Sequence, residues 1–182
     1  MISYFTLNLK DDYTLEFLSQ SSLNSKFDDF IVLFKSQNKN IQIFEDILQE
    51  VVNPFYMILT QCLEDKNQLN SELKVGKVGK AWNIWTNNLP EVVEESEIDI
   101  FEQYWVWSCR DFQTWVYVKD GKTYIEISPS YRFHFVEPIN DEPFITFTQF
   151  INEFQSIVIE LTKEQVKEIL NKLQTLKVKL NI

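Results

Sequence analysis

Glycine and proline are scarce in this chain, with three and five in 182 residues. Little of it is forced into turns, and low-complexity or collagen-like organisation is excluded. Histidine occurs once, at His134, and cysteine twice, at Cys62 and Cys109. Zinc sites draw mainly on those two residue types, and these three lack motif spacing, so no metal site is expected. Two distant cysteines imply no disulfide framework, and a buried thiol is the default for each. No apolar run approaches the ~18 residues of a membrane-spanning helix. The opening residues Met1-Ile2-Ser3-Tyr4-Phe5 carry no basic lead, continuous apolar core or small-residue cleavage site. A cytoplasmic location is expected, with no membrane partner. Basic residues number 17 against 27 acidic ones, a formal net charge of −10. Phosphate backbones are bound by clustered Lys and Arg, so nucleic acid is not an expected partner. A basic protein surface would be attracted.

What the chain does have is apolar and aromatic content, 45% and 15%. That argues against disorder and suffices for the core of one domain. Asp120-Gly121 stands between two alternating apolar runs, the usual two-residue hairpin turn, in which both central residues take positive φ. It sets a register of Val118 opposite Thr123, Val116 opposite Ile125 and Thr114 opposite Ile127, all on a core face. The other face places Tyr117 opposite Tyr124 and Trp115 opposite Glu126. Either a helix covers that face, or Trp115, Tyr117 and Tyr124 form an aromatic contact surface.

The rest of the chain divides around this hairpin. Ile2 to Leu9 and Tyr13 to Phe17 alternate and suggest a second hairpin. Ser25 to Lys35 has helical spacing, with Ser25 as N-cap. Ile41 to Leu63 carries an apolar stripe at 3-4 spacing, interrupted by Asn53-Pro54, which suggests two successive helices or one kinked helix. Lys74 to Lys80 resembles a phosphate loop but lacks its glycine and hydroxyl positions; a mobile connection is expected there. Phe147, Phe150, Ile151 and Phe154 suggest a short helix, Ser156 to Leu161 a strand, and Thr162 with Gln165 a capping box opening a last helix. The expected fold is α+β in a single domain, 1–182. An antiparallel β-meander over about 104–136 packs against N-terminal helices and a C-terminal helix. Residues 1–73 form a mainly helical half with a possible N-terminal hairpin, 81–161 a sheet half, and 162–178 the last helix.

Two constellations could carry function. Ala81 to Cys109 contains no Lys or Arg, yet holds Glu91, Glu94, Glu95, Glu97, Asp99 and Glu102 beside Trp82, Trp85, Trp105 and Trp107. A solvated acidic loop is the plain reading. A docking patch for a basic protein, with Trp85 packing against it, is the functional one. The other constellation is Cys109 with Arg110 and His134, a nucleophile and base for a small hydrolase or transferase. Adjacent strand residues point to opposite faces, which opposes the Cys109–Arg110 contact. A third reading is a small-ligand sensor with an aromatic pocket at Trp115, Tyr117 and Tyr124. No dinucleotide loop or nucleophile elbow occurs, so neither an enzyme nor a cofactor is expected.

The acidic balance, the absent catalytic motifs and the aromatic-acidic block from Trp82 to Trp107 resemble the immunity proteins of bacterial interference toxins. That resemblance implies a cytosolic inhibitor that binds a cognate, often basic, toxin domain. It covers overall character and implies no particular architecture or site residue.

Overall fold

Alternation builds the first sheet. In the computed structural model, which describes residues 1–9, 12–20, 22–89, 100–134, 137–138 and 143–181, β1 (Ile2–Asn8) and β2 (Thr14–Ser19) form the expected hairpin. Phe5 lies opposite Phe17 and Leu7 opposite Leu15. β3 (Asp29–Ser36) and β4 (Lys39–Ile47) extend it to an antiparallel sheet of order β1-β2-β3-β4.

Here the sequence expectation is corrected. Ser25 to Lys35 is not a helix, residues 41–47 do not begin one, and the first 73 residues are not mainly helical. Phe30, Val32 and Phe34 are fully buried at a period of two, the period of a strand. Ile31 and Leu33 between them are also apolar, so the run mimics helical spacing.

α1 (Leu48–Leu63) starts seven residues later than its apolar stripe suggests, and Pro54 lies inside it. It is a single helix, not two, and residue 53 is not its cap. No side chain caps it. Its first amides are taken by backbone carbonyls instead: Leu48 donates to Asp28 at 2.9 Å and Gln49 to Lys26 at 3.0 Å. The orphan donors of a helix start are thereby satisfied by the β2–β3 connection.

The second sheet has the order β5-β6-β7-β8, from β5 (Trp105–Ser108), β6 (Phe112–Lys119), β7 (Lys122–Pro129) and β8 (Ile157–Leu161). Its central hairpin has the register expected at every pair, and Asp120 and Gly121 take φ of 52° and 72°. The meander does not run to 136: Tyr131 to His134 form a turn, residues 135 and 136 lie outside the described residues, and β8 is the fourth strand. α2 (Val78–Asn87) lies on one face of this sheet, and α3 (Phe147–Glu153) precedes β8. α4 (Lys163–Leu180) opens on the Thr162–Gln165 capping box and buries Val166, Ile169, Leu173 and Leu176.

The main core joins the inner faces of both sheets with α1 and α4. The rings of Phe17, Phe55 and Trp107 meet at its centre, with Phe55 and Trp107 at 4.6 Å. A second core of Val78, Phe101, Tyr104, Trp115 and Tyr117 fills the space between the second sheet and α2.

Candidate functional site

α1 turns one stripe inward and another outward. Residues 54, 57, 58 and 61 follow the helical repeat along one side. Opposite them stand Ile100, Glu102 and Gln103, leading through a single 3-10 turn (Glu102–Tyr104) into β5. Together with Trp105 they enclose an open groove of about 550 Å³. Met57 is 59% exposed and Trp105 49%, which is high for side chains of that size in one groove.

The groove wall is rigidly held. Tyr104 is fully buried; its hydroxyl accepts from the Asn70 amide at 2.9 Å and donates to the Gln68 carbonyl at 3.1 Å. Trp107, two residues beyond Trp105, is also fully buried and donates from Nε1 to the Val51 carbonyl at 3.0 Å. In a regular strand both rings would share a face. The register shifts between Trp105 and Trp107, and such a bulge re-aims one side chain. Trp105 is turned outward as a result.

Of the residues expected at a docking patch, Glu91, Glu94, Glu95, Glu97 and Asp99 lie outside the described residues. Glu102 lines the groove. Trp85 does not: it is half-buried on α2, its ring 5.7 Å from Phe101, inside the second core. Trp105 and Met57 were missed by sequence reasoning. Their signal was faint, since the bulge and the outward stripe of α1 are set by packing.

The aromatic face of the hairpin is covered at Trp115 and Tyr117, while Tyr124 stays partly exposed. Trp115 and Tyr117 are buried, at 1% and 0% exposure, and α2 covers them. Gly79 is what permits that cover. A Cβ there would come 1.9 Å from Ser128 Oγ and 2.9 Å from Trp115 Nε1. The Lys74 to Lys80 stretch is therefore anchored rather than a mobile connection. The Gly76 amide donates to the Tyr117 hydroxyl at 2.9 Å.

Beneath this helix start sits Glu126, fully buried. One carboxylate oxygen accepts from the Gly79 amide at 3.0 Å and the Ser156 hydroxyl at 3.1 Å. The other accepts from the Val78 amide at 3.2 Å and the Tyr117 hydroxyl at 2.8 Å. Burial raises the carboxyl pKa, opposed by these four donors. The same burial, with the Glu126 charge second, raises that of Tyr117. Two amides at a helix N-terminus are a natural carboxylate seat. All four donors come from the chain itself, so the arrangement serves as a structural clamp.

The nucleophile and base are held by different elements. The Cys109 thiol contacts the Gln42 carbonyl on β4 at 3.6 Å. His134 lies against α2 and α3: Nε2 is 3.2 Å from Asn83 Oδ1, and its ring is 5.7 Å from both Trp82 and Phe147. Burial lowers its pKa to about 4, so it is neutral at pH 7. Cys62 is buried, which pushes its thiol up to about 12. Among the described residues, no three His, Cys, Asp or Glu side chains gather as a metal site, and no helix is long and apolar enough to cross a membrane.

The chain is thus an α+β protein, its described residues forming two antiparallel four-stranded sheets and four helices. It matches no family model, no curated protein and no solved structure.

Proposed function

We propose that this is a non-catalytic binding protein that docks a basic protein partner through the groove between α1 and β5. The observation that carries the reading is Trp105, a large ring turned outward beside Met57 and Glu102. Charge supports it. Among the described residues no Lys or Arg lines the groove, and its wall at Ile100 follows directly in sequence from Glu91 to Asp99, in a chain of net charge −10. Buried tryptophans are frequent hot spots of protein interfaces. Carboxylates around such a ring steer a basic partner and set register. A partner Arg or Lys would lay its stem on Met57 and its charge over the Trp105 ring, a contact of about 0.5–2 kcal/mol. In the finer form of this reading the chain is an immunity protein, and the partner is a basic toxin domain whose active site it blocks.

The test is capture from the native cell on immobilised protein, with Trp105→Ala and Glu102→Lys run beside the wild type. A basic protein should be retained by the wild type and eluted by rising salt, as the Debye length shrinks below about 8 Å. Its affinity should fall at least about tenfold with Trp105→Ala, the loss typical of an interface anchor. An acidic partner, or one held equally by both variants, would remove this groove as the docking surface.

A further inference from the structure

Among the described residues β1 is the outermost strand of the first sheet, and beyond the register shift between Ser3 and Phe5 its edge lacks two of the usual guards. Over Ile2–Asn8 it carries no charge and no proline. Exposed edges are ordinarily protected by one or the other, because unpaired N–H and C=O groups are a template for another strand. The phase of the ladder shows which groups are open. Leu9 donates to the Tyr13 carbonyl at 2.7 Å, and hydrogen-bonded pairs recur at every second residue of an antiparallel ladder. Leu7 opposite Leu15 and Phe5 opposite Phe17 therefore bond inward to β2, while Thr6 and Asn8 present their backbone outward. The Lys172 ammonium reaches the Thr6 carbonyl at 3.4 Å from this outer side.

A side pocket of about 270 Å³ adjoins this edge, between β1 and α4. Tyr4, Phe5 and Leu176 form its apolar part, and Lys172 and Lys179 flank it, with no carboxylate among the described residues of the lining. Lys172 is paired with Glu168 at 2.9 Å; Lys179 is exposed. α4 as a whole carries five Lys against two Glu, and Lys163 is paired with Asp65 at 3.3 Å, which leaves a local excess of two positive charges (5 − 2 − 1). The rest of the molecule is strongly acidic, so this is a distinct electrostatic region.

We propose that the β1 edge and this pocket bind an extended acidic segment of a partner protein by strand addition. Its main chain would pair with the outward groups of Asn8 and the Thr6 amide, and would take the Thr6 carbonyl over from the Lys172 ammonium. One apolar or aromatic side chain would enter the pocket, and a carboxylate would meet Lys179 and Lys172. This is a known mode of peptide recognition, in which main-chain bonds give affinity and the pocket gives specificity. A second copy is the weaker occupant, because pairing β1 with itself would juxtapose two basic α4 helices on two chains that repel overall. The site shares no residue with the α1–β5 groove and stands independently of that reading.

The probe is a short fluorescein-labelled peptide alternating valine and glutamate around one central tryptophan. Saturable binding by anisotropy is expected, with hydrogen–deuterium exchange slowed at the Thr6 and Asn8 amides. The K172E/K179E double variant should bind about fivefold or more weakly, given up to ~1 kcal/mol per exposed pair. The same peptide N-methylated at alternate amides keeps its side chains and should not bind. No saturable binding at millimolar peptide overturns the proposal. So does equal binding of a version with lysine for glutamate, or unchanged exchange at Thr6 and Asn8. Sedimentation that shows a dimer with those amides already protected would assign the edge to a second copy and overturn it as well.

Discussion

The two sheets have the same number of strands and the same sequential antiparallel order, yet they solve the problem of their outer face differently. The first sheet leaves charge there: Glu16 pairs with Lys35 at 2.7 Å, and Gln42 donates to the exposed Glu45 at 2.7 Å. The second sheet is covered on both faces at its β6–β7 centre, though Val158 on β8 is 37% exposed. Val116, Val118, Ile125 and Ile127 face the main core, and Trp115, Tyr117 and Glu126 are buried beneath α2. A solvated face tolerates polar side chains at little cost, since water completes their hydrogen bonds. A covered face must complete them internally. Glu126, with four donors at hand, does so, and in the process it pins a helix to the sheet. The second sheet therefore positions the groove wall, whereas the first offers a loose edge and a tolerant surface.

The sharpest way to break this comparison is to remove a carboxylate from each sheet. Glu126→Ala leaves the Tyr117 hydroxyl and two helix amides without their acceptor, with the Ser156 hydroxyl turning to the Gly76 carbonyl, and should destabilise by about 3 kcal/mol or more. Glu45→Ala on the open face should stay within about 0.5 kcal/mol. Urea unfolding measures both, and equal costs would mean that the cover over the second sheet is not what makes Glu126 matter. Next in size is Gly79→Ala, about 2 kcal/mol, because the added methyl collides with Ser128. Gly121→Ala, whose Cβ would meet nothing within 4 Å but whose φ is +72°, should cost about 1 kcal/mol through backbone strain alone. Reversal of that order would show that α2 can slide away from the sheet.

The pH dependences of two groups in the second sheet and its flank have opposite signs. Glu126 has a raised folded pKa, so its contribution is fully present below the unfolded carboxyl value and is lost as pH rises through the folded one. His134 is depressed from 6.5 to about 4, so its contribution is present above 6.5 and is lost as pH falls towards 4. Urea midpoints against pH should lose the first slope in Glu126→Gln and the second in His134→Gln. A His134→Gln profile that superimposes on the wild type between pH 6.5 and 4 would show that the imidazole is solvated rather than buried against Trp82 and Tyr131.

Several elements were legible because their causes are local. The 120–121 turn determined every pair of the β6–β7 ladder, since two positive φ angles at Asp and Gly permit one register. The Thr162–Gln165 box marked the start of α4, because both capping bonds lie within one turn. The start of α1 was illegible for the opposite reason. Its caps are the carbonyls of Lys26 and Asp28, which no side chain advertises. β3 was taken for a helix because apolar residues on both its faces erased the period of two. Of the residues expected at a docking patch, Glu102 stands at the groove and Trp85 packs against the second core; no pattern along the chain marks Trp105, which a bulge turns outward.

By itself, the sequence determined the acidic balance, the poverty in nucleophiles and metal ligands, the two hairpins and the cap of the last helix. These follow from composition or from contacts a few residues apart. Only the tertiary structure decided which tryptophan faces out, that Trp115 and Tyr117 of the hairpin lie under α2, and that Glu126 is held beneath the start of that helix. Each depends on groups separated by tens of residues, whose meeting is set by how whole elements pack and not by any pattern along the chain.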